Sequence, residues 1–334
     1  MTKETLQDIV DSTKDLLMLD FDIVRTQSNN VPGYEDQGLS FERGTAKRAK
    51  TICTCVLYAD IRNSTTLSHQ HPHETMARLY TAFTKSLLKI AEFHGAVVRN
   101  IIGDRVMMLF PENNCFKMAS DAAISINTVS KYIIDRLFVG LKFEVGIGID
   151  YGEMLVVKAG IPKKEPERTN YKNLIWIGKP ANIASKLTDV ASKATKTTSY
   201  KVTYFPYNTP PLFDLSSVFP FNSPAKAATG PYTNYTWEDE ISESTFIERI
   251  GWDKILGTTY SRGRFVSFEK IEKEEVNSPI LMSKATFDGL IKSNANDPVL
   301  LKNLYAPKGI KVKDYVGTIY GGDVHWANYP ELKF

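Results

Sequence analysis

Two runs of apolar, mostly β-branched residues in the first third of the chain each lead to an aspartate. Val56-Leu57-Tyr58-Ala59 leads to Asp60, and Val97-Val98-Arg99-Asn100-Ile101-Ile102-Gly103 leads to Asp104. Runs of this kind predict β-strands, and a polar residue directly after one predicts that the strand ends in a turn. Gly103-Asp104 therefore predicts the tip of a hairpin between strands at residues 96–102 and 105–110.

Apolar residues recur at helical spacing between and after these strands. They predict a helix from Pro72 to Gly95 and another over residues 115–137. Residues 141–157 predict a second hairpin, with its turn at Asp150-Tyr151-Gly152. Residues 174–177 predict a short strand before a helix that starts at Pro180, and residues 279–287 predict a strand that enters a helix.

The remaining segments suggest how the chain is divided. Residues 5–25 predict an amphipathic helix, which either packs on its own domain or forms a dimer contact, and residues 26–50 predict a linker. We therefore expect an N-terminal helix and linker over residues 1–50 and one domain over residues 51–334. The proline-rich and aromatic-rich stretch at 200–240 predicts irregular structure, so residues 200–276 are expected to interrupt that domain as an insertion or accessory module.

Composition narrows the class of protein. The 334 residues are 43% hydrophobic, and 41 basic against 38 acidic residues leave a formal charge of +3. This balance gives no general attraction to nucleic acid or membranes, so neither is expected as a partner. Three cysteines make no even-numbered disulfide framework, and no apolar run approaches the roughly 20 residues of a membrane span. We expect a reduced, cytoplasmic protein.

The two strand-end aspartates are candidate metal ligands. An aspartate after a strand is more often only a turn residue, but two of them in this context can hold Mg²⁺, which takes few carboxylates and leaves positions for substrate phosphates. His69, His71 and His73 have a spacing that is more typical of a solvated loop than of a metal site.

Together these segments resemble the class III nucleotidyl cyclases. The resemblance includes Asp60, Asp104, a helix motif with Asn182, and a glycine-rich segment, Gly146-Ile147-Gly148-Ile149-Asp150-Tyr151-Gly152-Glu153. It implies an α+β fold with a ferredoxin-like βαββαβ core, a mostly antiparallel sheet and helices on its outer face. It also implies that Asp60, the backbone of Ile61 and Asp104 hold two Mg²⁺ or Mn²⁺ ions against a nucleoside triphosphate.

The family resemblance further implies a head-to-tail homodimer. Asn182 would orient the ribose and Lys186 would meet the transition-state phosphate, with both residues facing Asp60 and Asp104 of the other chain. Lys186 departs from the family, where an arginine provides a bidentate contact that a lysine cannot make. A catalytically weak nucleotide sensor is therefore an alternative function.

The positions that would read the base also depart from the family. Adenylate cyclases use lysine and aspartate there and guanylate cyclases tend to use glutamate and cysteine, whereas this chain has Asn100 and Ile175. With Tyr58 and Arg105 beside the aspartates, the chain resembles the pyrimidine cyclases of the Pycsar antiphage systems. Arginine only donates hydrogen bonds, which suits the carbonyl acceptors of uracil, so UTP is the favoured substrate. CTP and purine triphosphates remain alternatives.

Overall fold

The computed structural model describes residues 1–27, 29–40, 46–160, 172–207 and 231–327. It divides into two compact units, one of residues 1–193 with the chain from 277 onward, and one of residues 194–276. In chain order the elements are α1 (Lys3–Met18), β1 (Phe21–Arg25), β2 (Lys47–Ile61), α2 (Ser64–Gln70), α3 (His73–Phe93), β3 (Val97–Ile102), β4 (Arg105–Leu109), α4 (Cys115–Val129), α5 (Asp135–Leu137), β5 (Val145–Gly160), β6 (Lys172–Ile177), α6 (Lys179–Val190), β7 (Ala194–Pro206), β8 (Trp237–Ser242), α7 (Glu243–Arg249), β9 (Ile250–Asp253), β10 (Gly257–Tyr260), β11 (Gly263–Val276), β12 (Ile280–Ser283), α8 (Lys284–Ser293), α9 (Pro298–Leu301), β13 (Ala306–Lys308) and β14 (Ile319–Gly322).

The first unit is built on a sheet of nine strands, counted over the described residues. The strands follow the order β13-β14-β12-β5-β2-β4-β3, while β1 pairs with β2 and β6 pairs with β5. Among the described strands of this sheet, the β1–β2 and β12–β5 pairs are parallel and the others antiparallel. The predicted α+β fold with a mostly antiparallel sheet is confirmed.

The two faces of this sheet are covered differently. On one face, α3 and α4 bury apolar side chains such as Phe83, Leu87 and Ile124 against the odd-numbered residues of β2. On the other face, α6 lies directly on β5, where a Cβ on Gly148 would collide with the backbone carbonyl of Ala184. The glycines of β5 therefore let α6 approach the sheet that carries the aspartates.

Several predicted elements are confirmed. The helix after Pro72 is α3, with Pro72 as its N-cap. The hairpin is formed by β3 and β4, with Ile102 opposite Arg105. The turn between them contains Gly103 at a φ of 63°, a conformation that glycine adopts at little cost. The strands before Pro180 and Lys284 are also present, as β6 and β12.

The predicted second hairpin is wrong. Residues 145–160 form one long strand, β5, which pairs with β2 from Lys50 to Ile61 without a turn at Asp150. Asp150 is buried in this strand and not at a loop tip. A Cβ on Gly152 would lie 2.9 Å from Pro180 Cγ, so that glycine makes room for α6 instead of a turn.

The N-terminal predictions need two corrections. The helix ends at Met18, and residues 21–25 form β1, which pairs in parallel with the start of β2. α1 has no fully buried residue, and its Asp15 contacts its own unit, so whether it chiefly packs on its own domain stays a prediction. Its role as a dimer contact stays a prediction. Lys47, which is buried, forms an ion pair with Asp15 at 3.0 Å.

The second unit is a five-stranded antiparallel sheet in the order β8-β7-β11-β10-β9, counted over its described part. Val202, Tyr204 and Tyr260 form its core, and α7 stacks Phe246 on Tyr200 with 3.9 Å between ring centroids. The prediction of irregular structure over 200–240 is therefore wrong for the ends of that stretch, while 208–230 lie outside the described residues. Alternating β-branched and aromatic residues account for the strands. In the described part of the chain, no helix has the length and apolar composition to cross a membrane.

Candidate active site

The two predicted metal aspartates are close together. Asp60 is the penultimate residue of β2, and Asp104 lies in the β3–β4 turn. β2 pairs with β4 so that Ala59 is opposite Val106, which places the turn beside the end of β2. The negative charge of Asp60 reaches Asp104 and raises its pKa.

The ionised form of Asp104 is disfavoured in this setting. Burial is the largest cause of its raised pKa, and the charge of Asp60 adds to it, while hydrogen bonds from the Ser64 hydroxyl and its own backbone N–H oppose the shift. Its Oδ2 atom is buried without a hydrogen-bond partner among the described residues. A buried carboxylate oxygen without a partner is costly, and a bound cation would relieve that cost.

Asp60 is held by two arginines. Arg105 Nη2 donates to Asp60 Oδ2 at 2.7 Å, and Arg62 Nη2 donates to the same oxygen at 3.2 Å. Arg105 also binds two residues of α6. It contacts the Asp189 carboxylate, and its Nη1 donates to Ser185 Oγ at 2.8 Å. Burial lowers the pKa of Arg62, whereas at Arg105 burial is outweighed by the hydrogen bonds to Asp60 and Asp189, so its pKa is raised.

These residues fit a hard divalent cation. Two converging carboxylates, one with a free oxygen, and the strand-end backbone at Ile61 supply oxygen ligands of the kind Mg²⁺ and Mn²⁺ take. No group of three or more histidine, cysteine or acidic side chains suited to a metal occurs among the described residues.

Three predicted base-reading residues lie beside this centre. The Tyr58 hydroxyl donates to Met107 Sδ at 3.3 Å, and Asn100 Nδ2 lies 4.0 Å from the same sulfur. Burial raises the pKa of Tyr58, and the positive charge of Arg105 opposes that shift. Tyr58 and Asn100 thus meet at Met107, and the charge of Arg105 reaches Tyr58. Ile175 does not join them, since it is exposed on β6 opposite Val157.

The two predicted residues of α6 do not reach the aspartates of their own chain. Asn182 is exposed, and Lys186 Nζ forms an ion pair with Asp314 Oδ2 at 2.6 Å. Within the described chain, no hydrogen bond or ion pair joins either residue to Asp60 or Asp104. By helical spacing they are neighbours of Ser185 and Asp189, the α6 residues that contact Arg105.

Sequence reasoning missed Arg62, Met107, Ser185 and Asp189. Ser185 and Asp189 are four residues apart, which places them on one face of a helix, but the face that meets β4 depends on how α6 packs. The contact from Arg62 Nη1 to the Asp189 carbonyl oxygen, at 3.2 Å, joins residues that are 127 positions apart. Only Arg62 carried a local signal, because it follows Asp60 by two residues.

Comparisons with known proteins agree on one family. The model of the adenylate and guanylate cyclase catalytic domain matches residues 46–204. A protein named uridylate cyclase from Burkholderia cepacia is 30% identical over 179 residues, which cover 52% of this chain and 73% of that protein. Another protein of that name, from Xanthomonas perforans, is 32% identical over 176 residues, covering 51% of this chain and 71% of that protein.

A solved structure was also matched. The crystal structure of the adenylyl cyclase CyaB from P. aeruginosa aligns with a TM-score of 0.45 and 16% identity, covering 82% of this chain and 94% of that one.

Proposed function

Because the chain belongs to the class III nucleotidyl cyclase family, we propose that it converts UTP to 3′,5′-cyclic UMP and pyrophosphate. The observation that carries this proposal is the convergence of Asp60 and Asp104 beside Arg105 and Tyr58. The relatives named uridylate cyclase support the choice of the pyrimidine.

In the proposed reaction the ribose 3′ oxygen attacks the α-phosphorus, the 3′ proton passes to solvent water, and the bond from the α-phosphorus to the bridging oxygen breaks as pyrophosphate leaves with its electron pair. Asp60, the Ile61 backbone and Asp104 would hold two Mg²⁺ or Mn²⁺ ions, which would stabilise the attacking and leaving oxygens and lower the pKa of the 3′ hydroxyl. Asp60 and Asp104 fix where the triphosphate lies. Asn182 orients the ribose, and Lys186 balances negative charge on the phosphate.

The active form in this proposal is a symmetric homodimer. Asn182 is exposed and makes no polar contact with the aspartates of its own described chain, so it is available to a second copy. Lys186 would have to exchange Asp314 for the phosphate bound at the other chain's site. A two-fold axis would then build two equivalent sites, each with the aspartates of one chain and α6 of the other. An active protein that is strictly monomeric would contradict this arrangement.

Base selection is proposed to depend on Tyr58, Asn100 and Arg105. The Arg105 guanidinium offers several N–H donors that match the uracil carbonyl oxygens, while the exocyclic amine of cytosine would face it with a donor. Tyr58 and Asn100 shape the pocket together with Met107. Ile175, at the position of a polar base reader, would exclude a base that needs a hydrogen bond there.

The product would serve as a second messenger in cytoplasmic antiphage defence. This part of the proposal depends on the Pycsar-like residues Tyr58 and Arg105 and on the named relatives. It predicts that the cyclic nucleotide is read by a separate effector.

The test is incubation of the purified protein with Mn²⁺ and each of the four ribonucleoside triphosphates, followed by mass spectrometry of the products. We expect cyclic UMP to form fastest. The matched control is Asp60→Asn, which should make none. Faster conversion of ATP or GTP than of UTP would overturn the base assignment, while conversion of CTP alone would select the other pyrimidine.

A second candidate function is nucleotide sensing with little catalysis. It is favoured by the ion pair between Lys186 and Asp314, which occupies the cation proposed to meet the phosphate. The sensor predicts that UTP binds with ordinary affinity while no cyclic product forms over hours. Lys186→Arg should then leave the protein inactive, whereas in the enzyme it should preserve or raise kcat.

A further inference from the structure

Asp189 joins the two arginines that hold Asp60. Its carboxylate accepts a hydrogen bond from Arg105, and its backbone carbonyl accepts one from Arg62 at 3.2 Å. We infer that Asp189 is a positioning residue that keeps Arg105 at the site when Asp60 binds a divalent cation. The inference rests on the proposed role of Asp60 as a cation ligand.

The contacts of Arg105 are divided between two elements. Nη2 donates to both Asp60 and Asp189, and Nη1 donates to Ser185 Oγ at 2.8 Å. An Nη atom of arginine carries two hydrogens, so each carboxylate can take one of them. Asp60 belongs to β2, while Ser185 and Asp189 are one helical turn apart on α6. Arg105 therefore spans from the aspartate to the helix.

A cation at Asp60 would compete directly with Arg105. The oxygen that Arg105 uses, Asp60 Oδ2, also accepts from Arg62, so the side chain of Asp60 already carries two positive partners. A divalent ion within a few ångströms would repel both guanidinium groups and take that oxygen. Without another anion, Arg105 would be left partly buried with only the neutral Ser185 hydroxyl as acceptor.

Asp189 is suited to receive Arg105 at that moment. Its side chain is 54% exposed, so its charge remains hydrated and available, whereas that of Asp60 is 15% exposed. It already contacts the same Nη2 atom, so Arg105 need not change rotamer to exchange one carboxylate for the other. Arg105 then stays beside Tyr58, where the proposed function needs it to meet the base.

Arg105 and Asp189 should have opposite and interdependent effects on the affinity for the cation. Arg105 opposes cation binding at Asp60, and Asp189 reduces that opposition by offering Arg105 another partner. Removal of Arg105 should therefore strengthen cation binding, and removal of Asp189 should weaken it only while Arg105 is present. A purely structural tether between α6 and β4 would not give this dependence of one residue on the other.

The experiment is a titration of the full-length, nucleotide-free protein with Mn²⁺, followed by electron paramagnetic resonance of the free ion. Wild type, Asp189→Asn, Arg105→Met and the double variant are compared at one ionic strength, with circular dichroism to confirm that each is folded. We expect Asp189→Asn to weaken Mn²⁺ binding about fivefold, the upper end for a half-exposed ion pair. Arg105→Met should bind Mn²⁺ more tightly than wild type, and adding Asp189→Asn to it should change the affinity less than about twofold.

Equal weakening by Asp189→Asn in both backgrounds would mean that Asp189 acts only through long-range charge, and this would overturn the inference. No weakening in either background would overturn it as well. Asp189→Asn should raise the KM for UTP more than it lowers kcat. Asp189→Glu, which keeps the carboxylate, should restore both the Mn²⁺ affinity and the KM for UTP to wild-type values.

The outcome is separable from that of the proposed function. Mn²⁺ binding that Asp60→Asn leaves intact would overturn the proposed cation site itself. The identity of the cyclic product has no bearing on the coupling between Asp189 and Arg105.

Discussion

The partly buried pair Asp60 and Asp104 and the buried Asp150 lie on the same side of the main sheet, and the two sites are built differently. Asp60 and Asp104 are at the strand ends, where Asp60 is shared by two arginines and Asp104 keeps a buried oxygen without a partner in the described chain. Asp150 lies in the middle of β5, where it accepts hydrogen bonds from the Ser283 hydroxyl and the Tyr151 backbone N–H. Burial raises the pKa of Asp104, and it raises the pKa of Asp150 to about 6.

The difference shows what distinguishes a cation site from a structural carboxylate. Asp150 is satisfied by neutral donors, with the charge of Lys179 nearby, and protonation relieves what remains of its burial cost. The strand-end pair has two carboxylates, two arginine partners and an oxygen without a partner among the described residues. A carboxylate oxygen that has no partner at the end of a strand, such as Asp104 Oδ2, is available for a ligand.

The largest expected effect is at the strand end. Asp104→Asn should lower cyclase activity more than about 100-fold, beyond the loss seen when only an outer partner of a metal is removed. The same variant should be at least as stable as wild type without cations, because it removes like-charge repulsion with Asp60. Product formation by mass spectrometry and urea unfolding measure the two effects. If Asp104→Asn is inactive because it is unfolded, the proposed difference between the strand-end pair and the structural carboxylate Asp150 is contradicted.

The next effect is the pH dependence of stability at Asp150. Its pKa is about 6 in the folded protein against an ordinary 3.8, so the folded state binds the proton more tightly than the unfolded state. Stability from protonation is therefore full below about pH 4 and is lost as the pH rises to 6, a cost of about 3 kcal/mol above that range. Asp150→Asn should recover much of this free energy of unfolding at pH 8 and little of it at pH 4.

Urea unfolding of Asp150→Asn and wild type at both pH values tests this prediction. The carboxyl faces Lys179 and Tyr315 as well as its hydrogen-bond donors, so the two proteins should be compared at constant ionic strength. An equal difference in stability at pH 4 and pH 8 would show that Asp150 is not the titrating group.

A smaller effect is expected from the surface that brings α6 to the aspartates. Gly148→Ala would place a Cβ against the Ala184 carbonyl and 2.5 Å from the Thr188 backbone nitrogen, and the overpacking should destabilise the protein by about 2 kcal/mol. Because α6 carries Ser185 and Asp189, activity should fall as well. Gly309→Ala is the matched control, since nothing lies within 4 Å of its added Cβ. Thermal unfolding of the two variants should separate them clearly.

The part of the site that the sequence predicted is the part set by local structure. Strand alternation placed Tyr58 on the same face as Asp60, and a Gly-Asp turn placed Asp104 at the tip of a hairpin, while the family resemblance implied that the two aspartates meet. The arginine contacts to α6 could not be predicted, because they depend on which helix face meets the sheet. The same limit explains β5: Asp150-Tyr151-Gly152 has the local chemistry of a turn, but pairing along β2 from Lys50 to Ile61 overrides it.

The surface that covers the apolar side of α1 could not be predicted for a related reason. Its spacing correctly predicted an amphipathic helix, yet amphipathicity does not say which surface covers the apolar side. Leu6, Ile9 and Leu17 are all exposed in the described chain. A pattern in one helix defines a face, and only the rest of the fold or a second copy defines its partner.

The most direct test of the central claim is Mn²⁺ binding to the nucleotide-free protein, compared among wild type, Asp60→Asn, Asp104→Asn and Asp150→Asn. The two strand-end variants should lose binding by more than about tenfold, as expected for loss of a carboxylate ligand, while Asp150→Asn should bind like wild type. Equal binding by all four proteins, or loss only in Asp150→Asn, would contradict the claim.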